Sequence, residues 1–231
     1  MSLCVLSPCW DSEQGALMVE SAHRHGIHPE LYDLGVVCDG HGGNIQYYDL
    51  LPILERKTDK HVLVTDCADV LWLAGEDEIM EKFASFNCGF VVSAEHDGCT
   101  GLPKTAEKLD LMRIEAGGYF GQINVGLWIG EREYALHVLK ESYRLYKDKP
   151  EDPTYSYDSA WQWLSLMRAA GDGPRFELDM NCVLFQSMNH ADTEFLFGRV
   201  MNSVVCSWPC LLHYNGDKTR GAYKEMAERL R

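Results

Sequence analysis

Residues His61 to Leu73 read HVLVTDCADVLWL. The run is rich in β-branched and apolar side chains, the composition of a buried strand, yet it contains two carboxylates, Asp66 and Asp69. An ionised carboxylate left unpaired in an apolar interior is costly, so each of these needs compensation. A strand running straight through both positions would send the two side chains to opposite faces. A strand that ends at Asp66 and turns lets both converge at the carboxyl edge of a sheet, where open α/β sheets bind their ligands. Two carboxylates meeting there repel each other, a divalent cation relieves the repulsion, and oxygen ligands favour Mg2+ or Mn2+. The alternative left open by the local sequence is that one aspartate caps the helix starting near Gly75 and the other pairs with a lysine.

Outward from this stretch the chain alternates strand and helix patterns. Leu3 to Leu6 is a short apolar run ending at SPCWD, and Asp11 with Gln14 three positions later predicts a helix start. Gly26, in HRHGIH, supplies its stop. Leu31 to Val37 runs into the glycine-rich CDGHGGN, after which Asn44 can cap IQYYDLLPILERK, a helix that Pro52 must kink or restart. Beyond HVLVTD come a helix in GEDEIMEKFASF, a strand in GFVVSAE and another from Ile123 to Ile129. EREYALHVLKESYRLYK is an amphipathic helix, with Ala135, Val138, Leu139 and Tyr146 near one face. The alternation predicts an α/β domain with a largely parallel central sheet. KDKPEDPTYSY reads as a lid or linker, Asp158 opens a helix in DSAWQWLSLMRAAG, and short strands precede a charged C-terminal helix.

The chain has 231 residues, 46% hydrophobic and 24% charged, the balance of a globular protein with a substantial core. Thirty-five acids against 21 Lys and Arg give a formal charge of −14, which repels polyanions and disfavours a nucleic-acid partner. No apolar run reaches the roughly 18 residues of a membrane span, and MSLCVLSPCWDSEQ lacks the features of a signal peptide. The expectation is a soluble, cytoplasmic protein with no membrane partner. Nine cysteines without a CxxC pair signal neither a zinc knuckle nor a disulfide framework, so buried free thiols are expected.

Six blocks, in order, carry a resemblance: GHGGNIQYYDLL, VTDCADVLWLAG, FVVSAE, GQINVGLWIG, LDMNCVLFQSMN and LLHYNGDKT. They resemble the glycosyltransferase domain of the procollagen lysyl hydroxylases and related family-25-like glycosyltransferases, from about residue 40 to 220. The family pattern at these places is a glycine-rich turn, TDxxDVxxxxG, FSAE, an Asn-Ser-Gly-Gly stretch, LDxxxxIFQ and HGNGxxK. The resemblance implies a GT-A, Rossmann-like nucleotide-sugar-binding fold. It also implies a single domain over 1–231, with a nucleotide-sugar half in 1–130 and an acceptor-side half, closing on the metal, in 131–231.

Carried over residue by residue, Asp66 and Asp69 match the divergent DxD motif that holds Mn2+ against the donor diphosphate. His213 matches the histidine completing that site, and an imidazole beside two carboxylates shifts the expected metal from Mg2+ toward Mn2+. Asn215, Gly216 and Lys218 resemble the loop closing over the phosphates, where a lysine neutralises the leaving group. Tyr214 replaces a family glycine there, and Lys218 stands one position early. Ser7, Pro8 and Trp10 lie where GT-A enzymes seat base and ribose; Trp10 either stacks on uracil or packs in the core. Gly42, Gly43 and Asn44 match the turn approaching the donor, or form a plain capped loop. Glu95 and Asn124 match positions near sugar and acceptor, with a structural bulge as the alternative for Asn124. Asp158 remains from an acidic acceptor-side cluster, or is an N-cap.

The implied activity is metal-dependent transfer of a sugar from a UDP-sugar to a hydroxyl acceptor, with Asp158 or Glu95 orienting or deprotonating the acceptor. A glycan or a hydroxylysine-like protein residue is favoured as acceptor. A hydroxymethylated base in DNA ranks behind them, given the charge, although KTRGAYKEMAERLR has a modest basic excess. The rival readings are a non-catalytic nucleotide-sugar-binding module and a Mg2+-dependent phosphohydrolase using Asp66 as nucleophile.

Overall fold

The computed structural model describes residues 2–9, 15–33, 50–96, 121–147, 175–215 and 219–231. The first half of the chain supplies β1 (Leu3–Cys9), α1 (Ala16–Arg24), β2 (Glu30–Asp33), α2 (Leu51–Arg56), β3 (His61–Thr65), β4 (Val70–Trp72), α3 (Glu76–Ser85) and β5 (Phe90–Glu95). Then follow β6 (Gln122–Glu131), α4 (Arg132–Lys147), β7 (Glu177–Asp179), β8 (Phe185–Ser187), β9 (Thr193–Leu196), β10 (Arg199–Asn202), β11 (Leu211–His213) and α5 (Arg220–Arg229).

A six-stranded sheet runs in the order β2-β1-β3-β6-β5-β7. β1 pairs in parallel with β2 and β3, and β7 with β5. β6 is antiparallel to both of its neighbours, so the Ile123–Ile129 run is the reversed strand of an otherwise parallel sheet. A smaller sheet, β4-β11-β8, and a β9-β10 hairpin complete the layers. The HVLVTDCADVLWL run therefore holds two strands in different sheets, with both aspartates in the turn between them.

Every residue of β3 and β5 is buried, as expected of strands covered on both faces. Alternation divides them between two cores. Leu6, Val64, Val92 and Trp128 face α2 and α4, packing with Leu54, Ala135, Val138 and Leu139. Their neighbours Val5, Leu63, Val91 and Ile129 face α1 and α3, packing with Met18, Ala22, Ile79 and Phe83. Against the smaller sheet, Leu71, Leu212 and Tyr214 pack on Tyr223 and Ala227 of α5. Among the described residues no helix is long and apolar enough to cross a membrane.

Local signals explain several boundaries. Gly26, at φ +73°, follows α1. Pro52 lies in the first turn of α2, where its missing N–H removes no helical bond, so it is compatible with a helix beginning there. Gly75 precedes α3 and no side chain caps it, while Glu76, Asp77 and Glu78 fill the first turn. Neither Asp66 nor Asp69 serves as that cap. Asp11, Gln14 and the helix expected from Asp158 lie outside the described residues.

The expectation of free thiols is corrected at one pair. Cys9 and Cys67 form a disulfide, with Cα atoms 5.4 Å apart. The parallel register of β1 and β3 pairs Leu6 with Val64, so continuing it by three residues sets 9 against 67. A cross-strand pair of this kind leaves no local spacing motif. Cys4, Cys88, Cys182, Cys206 and Cys210 are not in disulfides, and Cys38 and Cys99 lie outside the described residues.

The LDMNCVLFQ block proves to be a folding element. Asp179, wholly buried at the end of β7, accepts backbone hydrogen bonds from Val183 at 2.8 Å and from Leu184 and Phe185 at 2.7 Å. It thereby reverses the chain into β8. Burial pushes its carboxyl up to about 6, against the three amide donors that pull it down. Asp179→Ala orphans those donors and should cost about 3 kcal/mol of stability, measurable by urea denaturation.

Candidate functional site

β3 ends one residue before Asp66, whose backbone N–H donates to Gly126 O at 2.8 Å. This bond extends the β3-β6 edge while the chain turns, and β4 begins one residue after Asp69. β11 lies antiparallel to β4, pairing His213 with Val70, and the next N–H, of Tyr214, donates to Asp69 O at 2.8 Å. Register alone therefore sets His213 beside Asp69.

The side chains converge accordingly. His213 Nε2 is 3.2 Å from Asp66 Oδ2 and 3.4 Å from Asp69 Oδ1. One ligand atom from each residue lies within 4.8 Å of the others. Two ligands at right angles around an ion with bonds of about 2.1 Å stand roughly 3 Å apart, so two oxygens and a nitrogen at this spacing fit a divalent cation. The His213 side chain is 3% exposed, against 23% and 22% for Asp66 and Asp69, so the imidazole closes the inner side and the carboxylates face outward. Burial by itself lowers the imidazole's pKa, but Asp69 and Asp66 outweigh it and push His213 up to about 10. The two carboxylates thus favour positive charge at this point.

Gly126 makes this approach possible. Between β5 and β6 the register jumps from Val92↔Trp128 to Ser93↔Asn124, a bulge on β6 that carries the Gly126 backbone against the site. A Cβ there would stand 2.4 Å from His213 Cε1 and 2.5 Å from Asp66 Oδ2. Only glycine leaves room for both side chains.

Behind the imidazole lies a polar layer. Asn124 Oδ1 is 3.1 Å from His213 Nδ1 and accepts the Gly126 N–H at 3.0 Å. Asn124 Nδ2 donates to Glu95 Oε2 at 2.9 Å, and Asn215 Nδ2 donates to the same oxygen at 2.5 Å. Ser187 Oγ donates to Asn215 Oδ1 at 2.7 Å, across the register that pairs Ser187 with His213.

Of the residues singled out in the sequence, Asp66, Asp69, His213, Glu95, Asn124 and Asn215 gather into one network. Ser7 and Pro8 are buried in β1, and the Ser7 hydroxyl donates to Thr65 O at 2.9 Å, tying β1 to β3 just before Asp66. Tyr214, which departs from the family glycine, points away from the site and packs with its ring 5.5 Å from Tyr223. Trp10, Gly42, Gly43, Asn44, Asp158, Gly216 and Lys218 lie outside the described residues. Gly126 and Ser187 were not singled out. The available signal for Gly126 was a glycine inside an apolar strand, a mark of close backbone approach.

Comparison with known proteins is consistent with this geometry. A family model described as the PLOD GT domain matches residues 32–223. An uncharacterised protein of Acanthamoeba polyphaga mimivirus is 25% identical over 179 residues, which is 76% of this chain and 36% of that protein. The chain thus spans about a third of the length of that relative. A solved structure described as a glycosyltransferase involved in glycosylation of the major capsid of PBCV-1 aligns over 99% of both chains, with a TM-score of 0.58 and 13% identity. That likeness is one of fold, and the mostly parallel α/β architecture is the GT-A type expected from the sequence. If Mn2+ is held by these three side chains, Gly126→Ala should weaken its binding at least about tenfold, read from the free-ion EPR signal. Gly221→Ala, whose added Cβ meets nothing within 4 Å, should leave it unchanged.

Proposed function

The chain belongs to the PLOD GT domain family, and from that membership we propose that it transfers a sugar from a UDP-sugar to a hydroxyl acceptor, using a divalent cation held by Asp66, Asp69 and His213. The observation that carries the proposal is the convergence of those three side chains at the carboxyl edge of the central sheet. Mn2+ is favoured over Mg2+ because one ligand is an imidazole nitrogen. When bound, the cation supplies Lewis-acid stabilisation of the diphosphate as the glycosidic bond breaks.

The chain's own residues hold and orient the reactants. Asp66 and Asp69 contribute carboxylate oxygens, and the buried ring of His213 fixes the depth of the site. Lys218 is the cation assigned to the departing diphosphate, and Trp10, Gly42, Gly43 and Asn44 are assigned to the nucleotide and donor. Ser7 and Pro8 support this edge from within β1. Asp158 is assigned to the acceptor hydroxyl, to orient or deprotonate it. The charge of −14 favours a glycan or protein hydroxyl over a hydroxymethylated base in DNA.

A thermal-shift series tests donor and metal together. UDP at about a hundredfold its Kd should raise the melting temperature by roughly 5 °C with Mn2+ present and by nothing without it. Asp66→Ala and Asp69→Ala should each remove the shift and still give a cooperative transition; full UDP binding in either variant contradicts the assignment. Tight Mn2+ and UDP binding with no UDP release from any UDP-sugar, even by slow hydrolysis, would indicate a non-catalytic nucleotide-sugar-binding module.

A further inference from the structure

Glu95 and Asn124 are built into a network of hydrogen bonds with neighbouring side chains. Glu95 is 4% exposed, and its Oε2 already accepts from two carboxamides, Asn124 Nδ2 and Asn215 Nδ2. Both of these contacts tie the carboxylate to neighbouring carboxamides.

The directions of the bonds determine the rest. The Asn124 amide donates to Glu95, which turns its Oδ1 the other way, toward the Gly126 N–H and His213 Nδ1. A carboxamide oxygen only accepts, so the hydrogen in the contact with the ring belongs to Nδ1. With Nδ1–H committed to Asn124, Nε2 is the nitrogen that faces Asp66 and Asp69. On the other side Ser187 donates to Asn215 Oδ1, turning the Asn215 amide toward Glu95. Two chains of donors thus end on one acceptor: His213 through Asn124, and Ser187 through Asn215.

We propose that Glu95 and Asn124 are positioning residues, a carboxylate–carboxamide relay that keeps the His213 Nδ1 protonated and presents Nε2 to the cation. Through Asn215 the same carboxylate anchors the segment that follows β11. This assignment rests on the metal reading of Asp66, Asp69 and His213, and goes beyond it in removing Glu95 from acid–base chemistry. Partners of this kind fix ring orientation at metal-bound histidines, and their loss typically weakens metal binding by about 10- to 100-fold.

The test uses Mn2+ alone, titrated into the full chain and read by EPR, together with UDP release from a UDP-sugar. Asn124→Leu and Glu95→Leu should each weaken Mn2+ binding by about 10- to 100-fold. Glu95→Gln can place its amide oxygen where Oε2 stands, and should keep Mn2+ affinity within about threefold and retain most of the turnover. A general base at this position predicts the same Mn2+ affinity for Glu95→Gln but a loss of at least about a hundredfold in turnover. That result overturns the proposal, as do folded Leu variants that bind Mn2+ like the parent chain. Should the Leu variants fail to fold, long-range 15N spectra of the Mg2+-loaded parent chain decide, with a protonated Nδ1 supporting the relay and a protonated Nε2 refuting it. A parent chain that binds neither ion refutes the metal reading itself, an outcome distinct from failure of the relay alone.

Discussion

Two carboxylates and one imidazole brought to the same point of a sheet edge are the constraint around which this molecule is arranged. Asp66 and Asp69 repel each other unless positive charge stands between them, and the fold places His213 there, 3.2 and 3.4 Å away. Three separate backbone devices enforce the meeting: the turn between β3 and β4, the antiparallel pairing of β4 with β11, and the bulge on β6 that admits only glycine at 126. A buried imidazole with raised basicity and a divalent cation answer the same electrostatic demand. In the function proposed above, this edge is a cation site first and the transfer chemistry is built on it.

The scaffold gives this edge its rigidity. β3 and β5 are buried along their whole length, and apolar side chains fill both faces of the central sheet. The Cys9–Cys67 disulfide joins the end of β1 to the turn that carries Asp66, beside the Ser7 to Thr65 hydrogen bond. The DxxD turn is thus held from β1, from β6 and from β11. Ligand atoms mounted on strand ends and fixed from several sides can be kept at coordination spacing, which a mobile loop would not ensure.

Much of this is legible in the sequence, for identifiable reasons. A strand pattern broken by two acids marks the edge where the chain turns, because alternation cannot bury Asp66 and Asp69 on one face of a single strand. Hydrophobic runs and their order mark the α/β class. His213 has no local pattern tying it to the aspartates and came only through the family resemblance, since the contact is created by pairing of distant strands. The same limit hid Cys9–Cys67, which depends on register, and the separation of Val70–Trp72 into a second sheet. Glu95 and Asn124 stand out in the sequence as polar residues within apolar strands, whereas the role proposed for them rests on the directions of hydrogen bonds, which no residue spacing encodes. Asn124 sits at the β6 bulge and contacts His213 from it.

The central claim, that the edge formed by Asp66, Asp69 and His213 is a metal site, is tested most directly by anomalous diffraction at the manganese edge from crystals soaked in MnCl2. The account predicts one strong peak about 2.2 Å from a carboxylate oxygen of each aspartate and from Nε2 of His213. A peak elsewhere with this edge empty, or a His213 ring turned so that Nδ1 meets the ion, would contradict it.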